Sequence, residues 1–423
     1  MEQPARPLWR DRAFLLYGSG SAISLLGTAI TSVALPIVVY RLTASALLTS
    51  LLATFEALPY LLFGLFAGEA ADRLNRRRLM VGCDLLNALL LGSIPVALRL
   101  HALTVPQIFA VALLSATAFV WFDAADFGAI SSLASRERMV AAASAISSIS
   151  TIASIVGPAL GGALIATVGS APAFGADAVS YLLSAVSLLL IPRALGVAQA
   201  PQPDDSRPVI TPRQTLANVW EGLRFLWDHR LVRVLTLLGF GLSFTGGAVI
   251  GLLVVYAVQA LGLPSTDGRI GLLFAAGACG SFIASVLLPA LTKRLPVGWI
   301  SLFALSLNLL LLLALVWLTS WIWATGVYAA WELCYTLAVT NGRAVRQMVI
   351  PDHLQSRVNV YARMIAWGGS PFGAAVGGLL AQVTTTIRET YLLLAASVAL
   401  SVVVGWFSPL RQRTMIADLA AQA

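Results

Sequence analysis

Between residues 14 and 407 the chain is built from apolar runs, each about long enough to cross a bilayer. The hydrocarbon layer is ~30 Å thick and takes about 20 mainly apolar residues per helix. The runs cover about residues 14–40, 46–67, 79–98, 105–125, 140–168 and 173–191, then 234–258, 270–291, 299–318, 322–341, 360–381 and 391–407. Most connections between them are too short to hold a domain, so neighbouring runs must be antiparallel helices. Charged residues make up 11% of the chain. A soluble globular protein carries about 25% and needs them to cover its surface. The expected fold is an all-α membrane protein, with twelve transmembrane helices in two pseudo-symmetric six-helix bundles.

The longest polar segment, residues 192–233, holds Pro201, Pro203, Asp204, Asp205, Pro208, Pro212 and six arginines. It divides the runs six and six. The expected organisation is therefore an N-terminal bundle over residues 1–191, a cytoplasmic linker over 192–233, and a C-terminal bundle with its tail over 234–423. Residues 215–226 form either a plain tether or a surface helix with Trp220, Leu223 and Leu226 on one face. With the amino terminus inside, only Arg41, Arg99, Arg269 and Arg388 fall at outer ends, and Arg363 lies just within the eleventh run. The other lysines and arginines fall inside. The positive-inside rule thus expects a multi-pass protein of a bacterial inner membrane with both termini cytoplasmic.

The net charge of +8 is accounted for by these orientation signals, and no nucleic-acid partner is expected. Cys83, Cys279 and Cys334 lie within or at the edge of apolar runs and give no disulfide framework or metal spacing. The first run is too long for a signal-peptide core and reads as a retained span. The sequence has no nucleotide-binding Gly-x-x-x-x-Gly-Lys-Ser/Thr loop, no His-Glu-x-x-His and no nucleophile elbow. Its three histidines, His101, His229 and His353, are scattered. No metal, cofactor or catalytic residue is expected, which argues against an integral membrane enzyme.

The two halves share landmarks. The fifth run carries Gly157-Pro158-Ala159-Leu160-Gly161-Gly162, and the eleventh carries Ser370-Pro371-Phe372-Gly373 followed by Gly377-Gly378. Such internal duplication marks a transporter. Glycines let helices approach closely in a bilayer, and proline bends a helix and frees a carbonyl. The expectation is that the fifth helix packs on the eleventh through these residues.

Between the second and third runs stands Gly68-x-x-x-Asp72-Arg73-x-x-Arg76-Arg77. It resembles the signature loop of the major facilitator superfamily. The Gly-Pro-x-x-Gly-Gly of the fifth run resembles the motif of that family's drug-exporting antiporters. Arg346-Gln347-x-x-Ile350-Pro351-Asp352-His353-Leu354-Gln355-Ser356-Arg357-Val358 resembles the loop before helix 11 in the macrolide-efflux and siderophore-exporter-like branch. The chain departs from the family pattern at Ala70 and Asn75. The second-half copy around Thr292-Lys293-Arg294 has lost its aspartate, and helix 4 lacks an intramembrane arginine. The resemblance implies that Gly68, Asp72, Arg73, Arg76 and Arg77 form a conformational latch. Asp72 would meet a helix end, and the arginines would meet Asp123, Asp126 and Glu137. It implies that Gly157, Pro158, Gly161 and Gly162 seal the outer side.

Ionisable groups within a span cost at least ~2.5–3.5 kcal/mol at its centre, so each is a functional candidate. By position, Glu56 and Glu332 are the deepest, and they are the expected proton carriers. Asp84 is expected to join the arginine loop, Asp177 to be a solvated helix end, and Arg363 to snorkel. In this fold the first, fourth, seventh and tenth helices line a cavity, where Trp121, Phe122, Phe244, Trp331, Tyr335 and Asn341 are candidate substrate contacts. The expected activity is export of a small amphipathic molecule (a drug, a macrolide-like compound or a siderophore) by proton antiport, from a monomer whose partners are substrate, protons and lipid. Uptake or facilitated diffusion on the same fold, and a non-transporting sensor, are the alternatives. Asp72→Asn is expected to cut transport at least about tenfold (~1.4 kcal/mol) with the membrane level of the protein unchanged. Full transport by that variant, measured beside an immunoblot of the membranes, would refute the latch.

Overall fold

The structure is a computed structural model that describes residues 11–133, 138–191, 220, 221 and 223–412; of residues 65, 69–73, 127, 352, 353, 356, 357, 359 and 360 only the backbone is described. All regular structure among these residues is helical. That is what a bilayer demands, because each backbone N–H and C=O must find a partner within its own segment. The helices are α1 (Arg12–Thr43), α2 (Ala46–Arg73), α3 (Arg76–Arg99), α4 (Val105–Leu133), α5 (Met139–Val168), α6 (Ser170–Leu190), α7 (Arg230–Gly251), α8 (Leu253–Gln259), α9 (Arg269–Thr292), α10 (Val297–Trp317), α11 (Trp321–Val349), α12 (Asp352–Val383) and α13 (Ile387–Trp406).

Helix α7 and the seven-residue α8 together make one span, broken at Leu252. Eleven described helices have both the length and the apolarity to cross a membrane. The twelfth span is α11, which is long enough at 29 residues but carries Glu332, Arg343 and Arg346. Lipid-facing positions stay apolar and uncovered, as at Leu89 and Val383.

Helix ends follow local side chains. Asp11 accepts from the Ala13 N–H at 3.0 Å to start α1. Thr386 accepts from the Glu389 N–H while Glu389 takes the N–H of Thr385, a reciprocal cap that starts α13. The helices also run past the apolar stretches. Most of the expected signature loop is helical: α2 continues through Arg73, α3 begins at Arg76, and only Leu74 and Asn75 join them. Likewise α11 runs on to Val349 and α12 starts at Asp352, so Arg343 and Arg346 lie in helix and not in a loop. Hydropathy marks the thickness of the hydrocarbon, whereas a helix continues into the headgroup layer.

The chain forms two compact units, Met1–Ala44 with Phe55–Asp205 and Pro264–Ala275, and Ser45–Thr54 with Ser206–Leu263 and Ala276–Ala423. In the first unit α5 packs tightly on two partners. A Cβ on Gly161 would lie 2.9 Å from the Ile30 carbonyl of α1, and one on Gly162 would lie 2.8 Å from Gly271 Cα at the start of α9. The expected pairing of this motif with Pro371, Gly373, Gly377 and Gly378 is thus replaced by α1 and α9. In the second unit those α12 residues meet α7 and the start of α2. Gly373 lies against the Phe244 carbonyl, while Thr54 and Ser50 donate to the Pro371 and Ala374 carbonyls at 2.9 and 2.6 Å.

Of the central segment, only residues from 220 onward are described, with residue 222 excepted. Leu226 is buried in a cluster with Val232, Ile350, Leu354 and Val358, while Trp220 and Trp227 are exposed. The face proposed from the sequence is therefore split, because Leu226 packs inward and Trp220 does not. Gly162→Val is expected to destabilise the protein by about 1–3 kcal/mol, read as a lowered unfolding temperature. Gly175→Val serves as the control, since a Cβ there meets nothing within 4 Å.

Candidate functional site

Polar side chains gather in two places, one in each unit. In the first unit, α6 presents Asp177, Ser180, Tyr181, Ser184 and Ser187 at helical spacing. Small and polar residues of α1 face them: Gly20 meets Ser187, and Gly27 meets Asp177 and Ser180. Asp177 is fully buried. Its carboxylate accepts from Thr31 Oγ1 at 2.5 Å and from Ser180 Oγ at 3.1 Å. One turn away the Tyr181 hydroxyl pairs with Thr28 Oγ1 at 2.9 Å. This is no solvated helix end, as position along the run suggested. The seam of glycine and serine brings α1 and α6 close enough to enclose the acid.

Above this seam is a cavity of about 210 Å³ whose wall includes Thr28, Asp84, Phe122, Asp123, Asp126 and Tyr181. Asp84 is 1% exposed. Ser184 of α6 lies beside its carboxyl. Asn87, one turn on, accepts from Ser115 at 2.8 Å. The expectation that Asp84 joins the arginine loop is corrected here, because its side chain points into the bundle. The cavity beside it also carries Asp123 and Asp126, so three carboxyls share this space.

In the second unit Glu332 of α11 is buried. It accepts from Tyr328 Oη at 3.2 Å and from Ser281 Oγ of α9 at 3.4 Å, and Thr336 donates to Ser281 at 2.9 Å. Gly277 and Gly280 allow this approach, since a Cβ on Gly277 would sit 2.7 Å from the Tyr328 ring. Glu56 behaves differently: although midway along α2, its side chain is exposed.

The remaining sequence candidates scatter. Asp72 and Arg73 end α2, but their side chains lie outside the described residues, as does Glu137. Gly68 sits near the end of α2 with open space around it. Arg76 donates to the Gly128 carbonyl of α4 at 3.3 Å, and Arg77 donates to the Leu189 carbonyl of α6. Phe122 lines the acidic cavity. Trp121 is half-buried and is not part of that wall. Phe244 packs beside Phe240 at 6.4 Å. Trp331 is fully enclosed and stacked between Tyr328 and Tyr335, with ring centroids 5.9 and 5.7 Å away. Asn341 is buried and ties α11 to α10, donating to the Val297 carbonyl at 2.7 Å and to Ser301 at 2.8 Å. Trp331 and Asn341 are thus both enclosed in the packing around α11.

Sequence position alone passed over Asp84 and Asp177. The polar stripe on α6, with the Asp84–Asn87 spacing of one turn, was the signal that could have found them.

Two bundles of apolar helices with acids enclosed among hydroxyls define a membrane transporter. The profile described as the Major Facilitator Superfamily matches residues 18–367, and the chain belongs to that family. A multidrug efflux pump, Tap of Mycolicibacterium fortuitum, is 28% identical over 420 residues, covering 94% of this chain and 95% of its own. The enterobactin exporter EntS of Salmonella typhi is 26% identical, covering 94% and 93%. Among solved structures, the nucleoside transporter NupG superposes with a TM-score of 0.73 at 12% identity, covering 93% of this chain and 98% of that one. A bacterial homologue of the human lysosomal transporter Spinster gives 0.71 at 16%, covering 95% and 97%.

Asn341→Ala removes two buried hydrogen bonds. It is expected to destabilise the protein by about 1–3 kcal/mol and to leave the range of transported compounds unchanged. A changed range with an unaltered unfolding temperature would return Asn341 to the substrate path.

Proposed function

We propose that this chain exports a small amphipathic molecule, such as a drug, a macrolide-like compound or a siderophore, across a bacterial inner membrane in exchange for protons. The observation that carries this reading is that two relatives matched over nearly their whole length are both named exporters. The enclosed acids support the coupling. Asp84 and Glu332 lie in different units, each within the packed interior. Where exchange of protons for substrate moves net charge, it draws on the membrane potential, worth ~2.3 kcal/mol per charge per 100 mV. Glu56, whose side chain is exposed midway along α2, is a third candidate proton carrier.

On this reading the chain is organised as residues 1–191, 192–233 and 234–423, works as a monomer, and has both termini in the cytoplasm. The α2–α3 corner acts as the latch. Asp72 holds one arrangement of the helix ends, and Arg76 and Arg77 tie α3 to the carbonyls of α4 and α6. The packing of Gly157, Pro158, Gly161 and Gly162 suits a seal against leak.

Everted vesicles test the proposal. Acidifying their interior is expected to drive accumulation of a fluorescent drug substrate, and a protonophore is expected to abolish it. Asp84→Asn and Glu332→Gln are each expected to slow that accumulation at least about tenfold (~1.4 kcal/mol), and Glu56→Gln less. Accumulation that ignores both the gradient and these substitutions would point to facilitated diffusion.

A further inference from the structure

The second unit contains a basic pocket that the export reading does not use. It lies where α7, α10, α11 and α12 meet, and its wall includes Ser243, Ser301, Arg343, Arg346, Arg363 and Trp367. The rest of the lining is apolar or glycine, with leucines from α7, and no acidic residue is part of it. Arg346 is 5% exposed, and its Nε meets no acceptor among the described residues. Arg343 lies over the Trp367 ring, 5.6 Å from its centroid. That stacking holds one face of the guanidinium and leaves its N–H edge for another partner.

Among the described residues no acid lines this pocket, and a buried guanidinium is costly unless something supplies the opposite charge. Arg346 stands in the last turn of α11, where the helix dipole favours a cation. The dipole does not replace the hydrogen bonds that Nε lacks. The cavity of about 30 Å³ is too small for a drug. A water needs ~10–15 Å³, so the space takes about two oxygen atoms. That is one edge of a phosphate or a whole carboxylate, the groups that match the planar donor fork of arginine. The apolar wall suits the hydrocarbon attached to such a headgroup. The position at a helix end sets the pocket near the headgroup layer, where basic pockets between spans take anionic lipid.

We propose that Arg343 and Arg346 form an oxyanion site that holds the headgroup of an anionic amphiphile, with an anionic phospholipid as its resident ligand. The ligand would supply a counter-charge to Arg346 and join α11 to α7 and α12.

The test uses the purified full-length chain in neutral detergent, with phosphatidylglycerol, phosphatidylcholine of the same acyl chains, and inorganic phosphate as probes. Phosphatidylglycerol is expected to raise the unfolding temperature while phosphatidylcholine does not. Arg346→Met should weaken phosphatidylglycerol binding at least about tenfold, the loss expected for one charge-assisted hydrogen bond. Because it removes a buried charge, Arg346→Met should unfold no lower than the wild type when no anion is present. A purely structural arginine would show the opposite sign. Arg343→Gln, at the half-buried position, should weaken binding in the same direction and serves if Arg346→Met does not fold. Stabilisation by phosphatidylglycerol alone assigns the site to lipid, and equal stabilisation by phosphate assigns it to a free oxyanion. The proposal is overturned if neither probe stabilises the wild type, or if both act equally on the wild type and the variants.

Discussion

Inside a bilayer no water is at hand to satisfy the backbone, so each N–H and C=O must be met by another part of the chain. This constraint explains why the backbone is helical throughout the described residues. Polar side chains mark where the helices touch. Asp177 survives within α6 because Thr31 and Ser180 donate to it, and Thr31 can reach only because Gly27 removes the side chain that would hold α1 away. Glu332 has the same arrangement in the other unit, with Ser281 as donor and Gly277 as the gap. A carboxyl, a hydroxyl and a facing glycine recur as one device. Helix contacts in lipid gain little from apolar burial, since the tails are as apolar as leucine. Close packing and buried hydrogen bonds set the arrangement instead.

The number of spans and their order were legible in the sequence, because twelve apolar runs and the arginine bias are properties of composition along the chain. What hydropathy cannot give is the direction in which a side chain points. Glu56 sits at mid-span and is exposed; Asp84 and Asp177 sit nearer the ends and are enclosed. The face of the helix, not the depth, decides which carboxyl is sheltered. Helix ends were misplaced for a related reason, since Arg343 and Arg346 interrupt the apolar run without interrupting α11. The partner of the Gly-Pro motif was also not legible. Duplication suggested that the two fifth helices meet, but the glycines of α5 fit the backbones of α1 and α9. Internal symmetry of sequence says which elements correspond, and correspondence is not contact.

The aromatic candidates teach the same lesson. Trp331, Tyr328 and Tyr335 form a stack on one face of α11. Composition alone suggested a wall for bulky substrates. In the structure the stack fills the bundle, and only Phe122 among the six candidates faces the acidic cavity. In a chain this rich in aromatics, packing uses most of them.

The corner between α2 and α3 carries a mechanical consequence. Only Leu74 and Asn75 separate the helices, and Asn75 closes the start of α3 by accepting from the Arg78 N–H at 3.1 Å. Such a capping residue stabilises a helix start by about 1 kcal/mol over an uncapped end. A corner so short and so fastened has little freedom to fold on itself. Displacement of the end of α2 would pass directly into α3, which is helical without a break from Arg76 to Arg99. Asp84 lies eight residues along that helix from Arg76, about 12 Å at 1.5 Å per residue. A movement of the corner at the membrane face would thus be carried along α3 toward the buried Asp84.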